Sequence, residues 1–113
     1  TRILNQSSIF VALNSIQNYP SQSLLEAMAC ANAVVATDVG ETWRLVDESN
    51  GLRVSPHPES VAEAIISLLN DSDLAAKQAA SRRRVLGKHT PARFFAYMAD
   101  IYRAAAARNR TTA

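Results

Sequence analysis

The order of apolar runs predicts an α/β protein: a partial, Rossmann-like parallel sheet of about three strands, flanked by helices. Three observations carry this expectation. Ser8-Ile9-Phe10-Val11-Ala12-Leu13 is a continuous apolar run, as strands buried on both faces tend to be. Val34-Val35-Ala36-Thr37 repeats the pattern after an intervening amphipathic segment. Leu52-Arg53-Val54 gives a shorter third strand behind the turn signal Asn50-Gly51. Strands that alternate with helices pair in parallel through crossover connections. Three short strands make a thin sheet, which ordinarily needs neighbours at its edges. Residues 1–113 therefore read as one partial domain of a larger fold.

Between the strands, Asn14 to Pro20 is a polar loop, and Pro20 disfavours helix at Tyr19. A helix is expected to begin around Ser21 to Ser23, with Ser23 and Glu26 at capping-box spacing. Leu24, Leu25 and Met28 are its apolar positions, and Asn32 is its expected stop. Gly40 marks the turn after the second strand, and Thr42 to Val46 can form a short helix. Pro56 and Pro58 break the chain after the third strand. Glu59 to Leu69 is an amphipathic helix with Val61, Ala62, Ile65, Leu68 and Leu69 on one side. Asp71-Ser72-Asp73 caps another that runs toward Lys88. Thr90-Pro91 starts the last, with Thr at the N-cap and Pro at the first helical position. Phe94, Phe95, Met98, Ile101 and Tyr102 form its apolar stripe, and residues 104–113, with Arg108 and Arg110, are expected to fray.

Composition narrows the function classes. The chain of 113 residues is 48% hydrophobic, with 12 Lys+Arg against 10 Asp+Glu. An excess of two charges creates no strong field. Arg82-Arg83-Arg84 reads as a solvated helix face, since no aromatics are interleaved to stack bases, so no nucleic-acid partner is expected. The single Cys30 excludes an internal disulfide and a Cys-based zinc site, and its apolar setting makes it a core thiol. His57 is expected in an exposed loop and His89 at a helix junction; without ligand-like spacing they imply no metal site. No segment approaches the ~18 apolar residues of a membrane span, and no leader pattern is visible. These features fit the cytoplasm or the cytoplasmic face of a membrane, with surface association only through a full-length protein. There is no G-x-G-x-x-G and no P-loop.

One ordered set of motifs is more specific. Leu24-Leu25-Glu26-Ala27-Met28-Ala29-Cys30, then Val34-Val35-Ala36-Thr37-Asp38-Val39-Gly40, then Asn50-Gly51-Leu52-Arg53-Val54 and the helix Glu59 to Leu69, resemble the retaining, family 4 type glycosyltransferases of the GT-B fold. The likeness is to the second half of their C-terminal, donor-binding domain and runs over residues 7–86. It implies a fragment that handles the donor when a sugar passes from a nucleoside diphosphate sugar to an unidentified acceptor. No separate cofactor is implied. The implied partners are the nucleotide sugar, the N-terminal acceptor domain and the remaining strands of the same fold.

The resemblance also implies site residues. Members carry two glutamates separated by seven residues; the second holds ribose hydroxyls, and Glu26 matches it. The first binds the donor sugar, and an ungapped count puts Asn18 there. Allowing one extra residue puts Gln17 there instead; either way the first glutamate is missing. An amide exchanges hydrogen bonds with a hydroxyl but supplies no negative charge. Asn18 and Tyr19 are then candidate sugar contacts. The backbone N–H groups of Ser21, Gln22, Ser23 and Leu24 can face a diphosphate, because a helix N-terminus carries unpaired donors and partial positive charge. After the second strand the family often reads Gly-Gly-x-x-Glu-Leu-Val, where this chain has Gly40-Glu41-Thr42-Trp43-Arg44-Leu45-Val46; no role passes to Glu41 or Arg44. Asp38 reads as a turn residue and Trp43 as cover for an apolar edge. No catalytic residue is assigned, and the isolated chain is expected to lack acceptor-side chemistry. The alternative is a non-catalytic, truncated or degenerate domain that serves a structural or partner-binding role.

Overall fold

The computed structural model describes residues 1–111, so only the last two of the expected fraying residues lie outside it. A short helix α1 (Arg2–Asn5) leads into β1 (Ile9–Ala12), α2 (Gln22–Ala29) and β2 (Ala33–Thr37). A 3-10 helix (Thr42–Arg44), β3 (Gly51–Val54), α3 (Pro58–Leu69), α4 (Leu74–Lys88) and α5 (Pro91–Thr111) follow. The strands form one parallel sheet in the order β1-β2-β3, as expected. Val11 pairs with Val35, and Val35 with Leu52.

Only β2 is buried along its whole length. One face of the sheet packs Ala12, Val34 and Ala36 against Leu24 and Met28 of α2, Leu45, Val46, and Val85 of α4. The other packs Ala33 and Val35 against Ala64 and Leu68 of α3. β1 departs from the expectation of burial on both faces. It is an edge strand, and Val11 is 36% exposed on the α3 side because α3 sits over β2 and β3.

Local chemistry explains the element ends. Ser21, not Ser23, is the N-cap of α2, so the expected capping box does not form and Glu26 lies farther inside the helix. At the other end Asn32 N–H donates to Ala27 O and Ala31 N–H to Met28 O, both bonds of a Schellman motif. Its left-handed position is filled by Ala31 (φ 58°). Asn32 is buried behind it and donates from Nδ2 to Leu4 O at 2.9 Å and Ala27 O at 3.1 Å, which ties down α1. Gly51 is required by close packing: a Cβ there would stand 2.1 Å from Val34 O. Thr90 and Pro91 open α5 as expected, with Thr90 Oγ1 accepting from Arg93 N–H at 3.3 Å. Residues 104–111, expected to fray, continue α5 as helix.

The basic triplet on α4 also departs from its reading as a solvated face. Arg82 donates to Ala29 O, fastening α4 to the end of α2. Arg84 donates to Leu45 O at 2.9 Å and Asp47 Oδ2 at 2.6 Å. Two of the three arginines are thus internal fasteners, and Arg83 alone faces solvent without a partner among the described residues.

Candidate functional site

In an open parallel sheet, ligands bind beyond the carboxyl ends of the strands, where helix N-termini converge. Here that end carries the loop from Leu13 to Pro20, the α2 N-terminus, the turn at Gly40 with the 3-10 helix, and the α3 N-terminus. Thr37, the last residue of β2, donates from Oγ1 to Asn14 O at 2.6 Å and anchors the first loop. Tyr19 and Pro20 are joined by a cis peptide bond. Gly40 adopts φ +51° beneath Gln17, whose side chain would lie 2.6 Å from a Cβ at that position. The loop after β1 is therefore folded down onto the turn after β2.

Most of the expected site residues gather here. Asn18, Tyr19, Ser21 and Leu24 line one small depression with Thr42 and Leu45. Its cavity is only about 10 Å³. Ser21 is buried, makes no side-chain cap bond, and holds its Oγ 3.2 Å from Ser23 Oγ. Leu24 belongs to the core, so only its backbone N–H is available to a ligand. Gln22 and Glu26 are exposed on the next turn, and Gln22 Nε2 donates to Glu26 Oε1 at 3.1 Å. Asn18 is exposed on the loop. Glu26 stands apart from the depression, one turn along the helix that leads away from it.

His57 is exposed and is the N-cap residue of α3, and His89 sits at the α4–α5 junction. Partial burial, with the nearby Lys88 charge, lowers the His89 pKa from its ordinary value. Asp38 pairs with Arg53 at 3.0 Å. Among the described residues no group of acidic, His and Cys side chains could hold a metal ion, and no helix is long and apolar enough to cross a membrane.

Sequence reasoning missed Arg44. Its guanidinium carbon lies 5.5 Å from the ring centroids of both Tyr19 and Trp43, within cation–π range. Glu41 pairs with it at 3.1 Å. The signal lay in Gly40-Glu41-Thr42-Trp43-Arg44, where both departures from the Gly-Gly-x-x-Glu pattern are the two partners of this ion pair. A larger, mainly apolar groove of about 550 Å³ opens between Leu13, Asn14 and Ser15 on one side and His57, Val61 and Ile65 on the other.

An open parallel sheet with helices on both faces and this mouth defines an α/β domain of the Rossmann-like kind. The chain belongs to a particular family of that architecture, the glycosyl transferases group 1, whose family model matches residues 1–71. It is similar in structure to sucrose-phosphate synthase from Thermosynechococcus elongatus, with a TM-score of 0.84 at 26% identity over 94% of this chain. The chain spans 27% of that protein's length. No curated protein matches the sequence.

Proposed function

We propose that the chain is the donor-side part of a glycosyltransferase that moves a sugar from a nucleoside diphosphate sugar to an acceptor. The observation that carries this reading is the position of Glu26 in a chain of this family. It is exposed, inside a helix whose uncapped N-terminus opens at the carboxyl ends of the strands. In this reading Glu26 accepts hydrogen bonds from two vicinal ribose hydroxyls, and ligand binding draws it off Gln22. The N–H groups of Ser21, Gln22, Ser23 and Leu24 meet the diphosphate, where backbone donors and the helix dipole stabilise negative charge. Asn18 and Tyr19 contact the sugar. The acceptor side comes from a second lobe of the same fold.

A second reading, a non-catalytic domain that binds a partner, is favoured by one observation. The depression beside Asn18 holds about 10 Å³, against the ~300 Å³ or more of usual ligand pockets. Calorimetric titration of the folded chain with UDP, GDP and ADP separates the two. One nucleotide is expected to bind, and Glu26→Gln to weaken it about tenfold, in line with a charge-assisted hydrogen bond. A folded chain that takes up none of the three would leave the non-catalytic reading standing.

A further inference from the structure

On the other side of the 3-10 helix from the depression lies an open groove of about 620 Å³. Trp43, Arg44, Asp47, Arg83, Arg84 and Lys88 line it, four cations against one carboxylate. That carboxylate is already taken, because Asp47 Oδ2 accepts from Arg84 at 2.6 Å. Arg44 is paired with Glu41. Arg83 and Lys88 have no ion pair or side-chain hydrogen bond among the described residues, and both are exposed. Two uncompensated cations thus share the groove with Trp43, the chain's one tryptophan, 54% exposed.

We propose that this groove, between the 3-10 helix and α4, is a binding site for a phosphate-bearing small molecule. The argument goes beyond the donor reading and does not depend on it. The lining repels cations and offers an anion both fixed charge and several donors. Arginine suits phosphate through its planar fork of N–H groups, and lysine through point charge. An exposed indole adds a flat apolar wall against which a sugar or a base can lie. The position also gives such a ligand a route to the neighbouring site. Arg44 touches Trp43 on the groove side and Tyr19 on the loop side, so an anion that recruits Arg44 loosens its hold on Tyr19. Sugar phosphates and nucleoside monophosphates share the required chemistry.

Trp43 is a built-in reporter. The folded chain is titrated at low salt with inorganic pyrophosphate, glucose 6-phosphate and AMP, following tryptophan fluorescence with calorimetry alongside. A saturable change is expected with at least one of these, weakening as salt is raised. The double variant Arg83→Ser, Lys88→Ser is expected to weaken it tenfold or more with an unchanged melting curve, since neither side chain holds the fold together. Trp43→Phe should keep the calorimetric binding of pyrophosphate. A preference for glucose 6-phosphate or for AMP identifies the source, and binding of either supports the site. Glu26→Gln should leave this binding unaltered, which keeps its outcome separate from that of the donor site. No saturable binding by either readout overturns the inference, as does an affinity that the double variant does not change. Tighter binding of a single-stranded oligonucleotide than of any small phosphate overturns it in favour of a nucleic-acid surface.

Discussion

The two edges of the sheet are finished differently. At the β3 edge the residue turned away from α3 is Arg53, which pairs with Asp38 at 3.0 Å. A charged, paired side chain is one of the usual ways a sheet ends without inviting another strand. At the β1 edge the residue on the α3 side is Val11, 36% exposed, followed by Leu13 at 57%. α3 packs chiefly on β2 and β3, and the apolar groove beside Leu13 opens between it and this edge. The β3 edge carries a charged, paired side chain, whereas the β1 edge leaves apolar side chains exposed. The difference teaches that the two edges of one sheet can be finished unequally: a paired charge guards one against further pairing, whereas the other presents apolar side chains.

The harshest test of the closed edge is Gly51→Ala. The new Cβ would overlap the Val34 carbonyl at 2.1 Å, and backbone cannot step aside as a side chain can. β3 must then separate from β2, at an expected cost above about 3 kcal/mol, the upper range for overpacking. Denaturant unfolding should show a largely unfolded chain or a steep loss of midpoint. A native-like midpoint would mean that β3 is not held as closely as its register implies.

Next in size is a matched pair on a single face. Val11 and Val35 are cross-strand partners, one at the open edge and one fully buried. Val35→Ala should cost about 2 kcal/mol through lost burial and the cavity left behind. Val11→Ala should cost clearly less, about 1 kcal/mol, because about a third of the residue already faces water. Equal costs would break the contrast between the two edges. In a longer protein whose added strand covers β1, the Val11 cost should rise toward that of Val35.

That pair also marks how far the sequence was legible. The alternation of strands and helices, the turn at Asn50-Gly51 and the Thr90-Pro91 cap were readable because each depends on near neighbours along the chain. The apolar run of β1 located the strand but not its exposure: β1 lies at an edge with Val11 36% exposed, and no run of residues carries what packs over it. Ser23 and Glu26 had the spacing of a capping box, yet the helix starts two residues earlier, with Ser21 as N-cap and Gln22 first, and Glu26 accepts from Gln22 instead. Arg82 and Arg84 looked solvated because their partners, Ala29 and Asp47, are far away in sequence. The candidate site followed the same rule. Its helix and loop were local and visible, whereas the Tyr19–Arg44–Trp43 stack joins two separate connections.

The helix α2, which packs against β1, offers a smaller, stabilising test. Ala31 closes α2 in the left-handed region at φ 58°, a position normally given to glycine. Ala31→Gly relieves the clash between Cβ and the backbone, offset in part by the greater freedom of glycine in the unfolded chain. The expected net gain is about 0.5–1 kcal/mol, read as a higher melting temperature. A loss of stability would show that the Schellman bonds at Ala31 and Asn32 do not set the end of α2.

The smallest expected effect separates the edges by pH. Asp47 stands in the turn that enters β3, where it accepts from Ser49 and Arg84. Partial burial pushes its pKa up, but the hydrogen bonds from Ser49 and Arg84, with the guanidinium charge, outweigh that and hold it below the ordinary 3.8. A carboxyl with a depressed folded pKa contributes stability that is fully present above the unfolded value and lost as pH falls through the folded one. The clamp on the β3 turn is therefore intact at neutral pH and released only in acid below the ordinary carboxyl range. Asp47 is half exposed, so solvent screening limits the contribution to at most about 1 kcal/mol. Comparing melts of wild type and Asp47→Asn at neutral and acid pH isolates it. The variant should be the less stable at neutral pH, and the gap should close in acid. A gap that persists unchanged in acid would mean that the β3 turn is held by packing and by the Arg84 bond to the Leu45 carbonyl, not by the Asp47 charge.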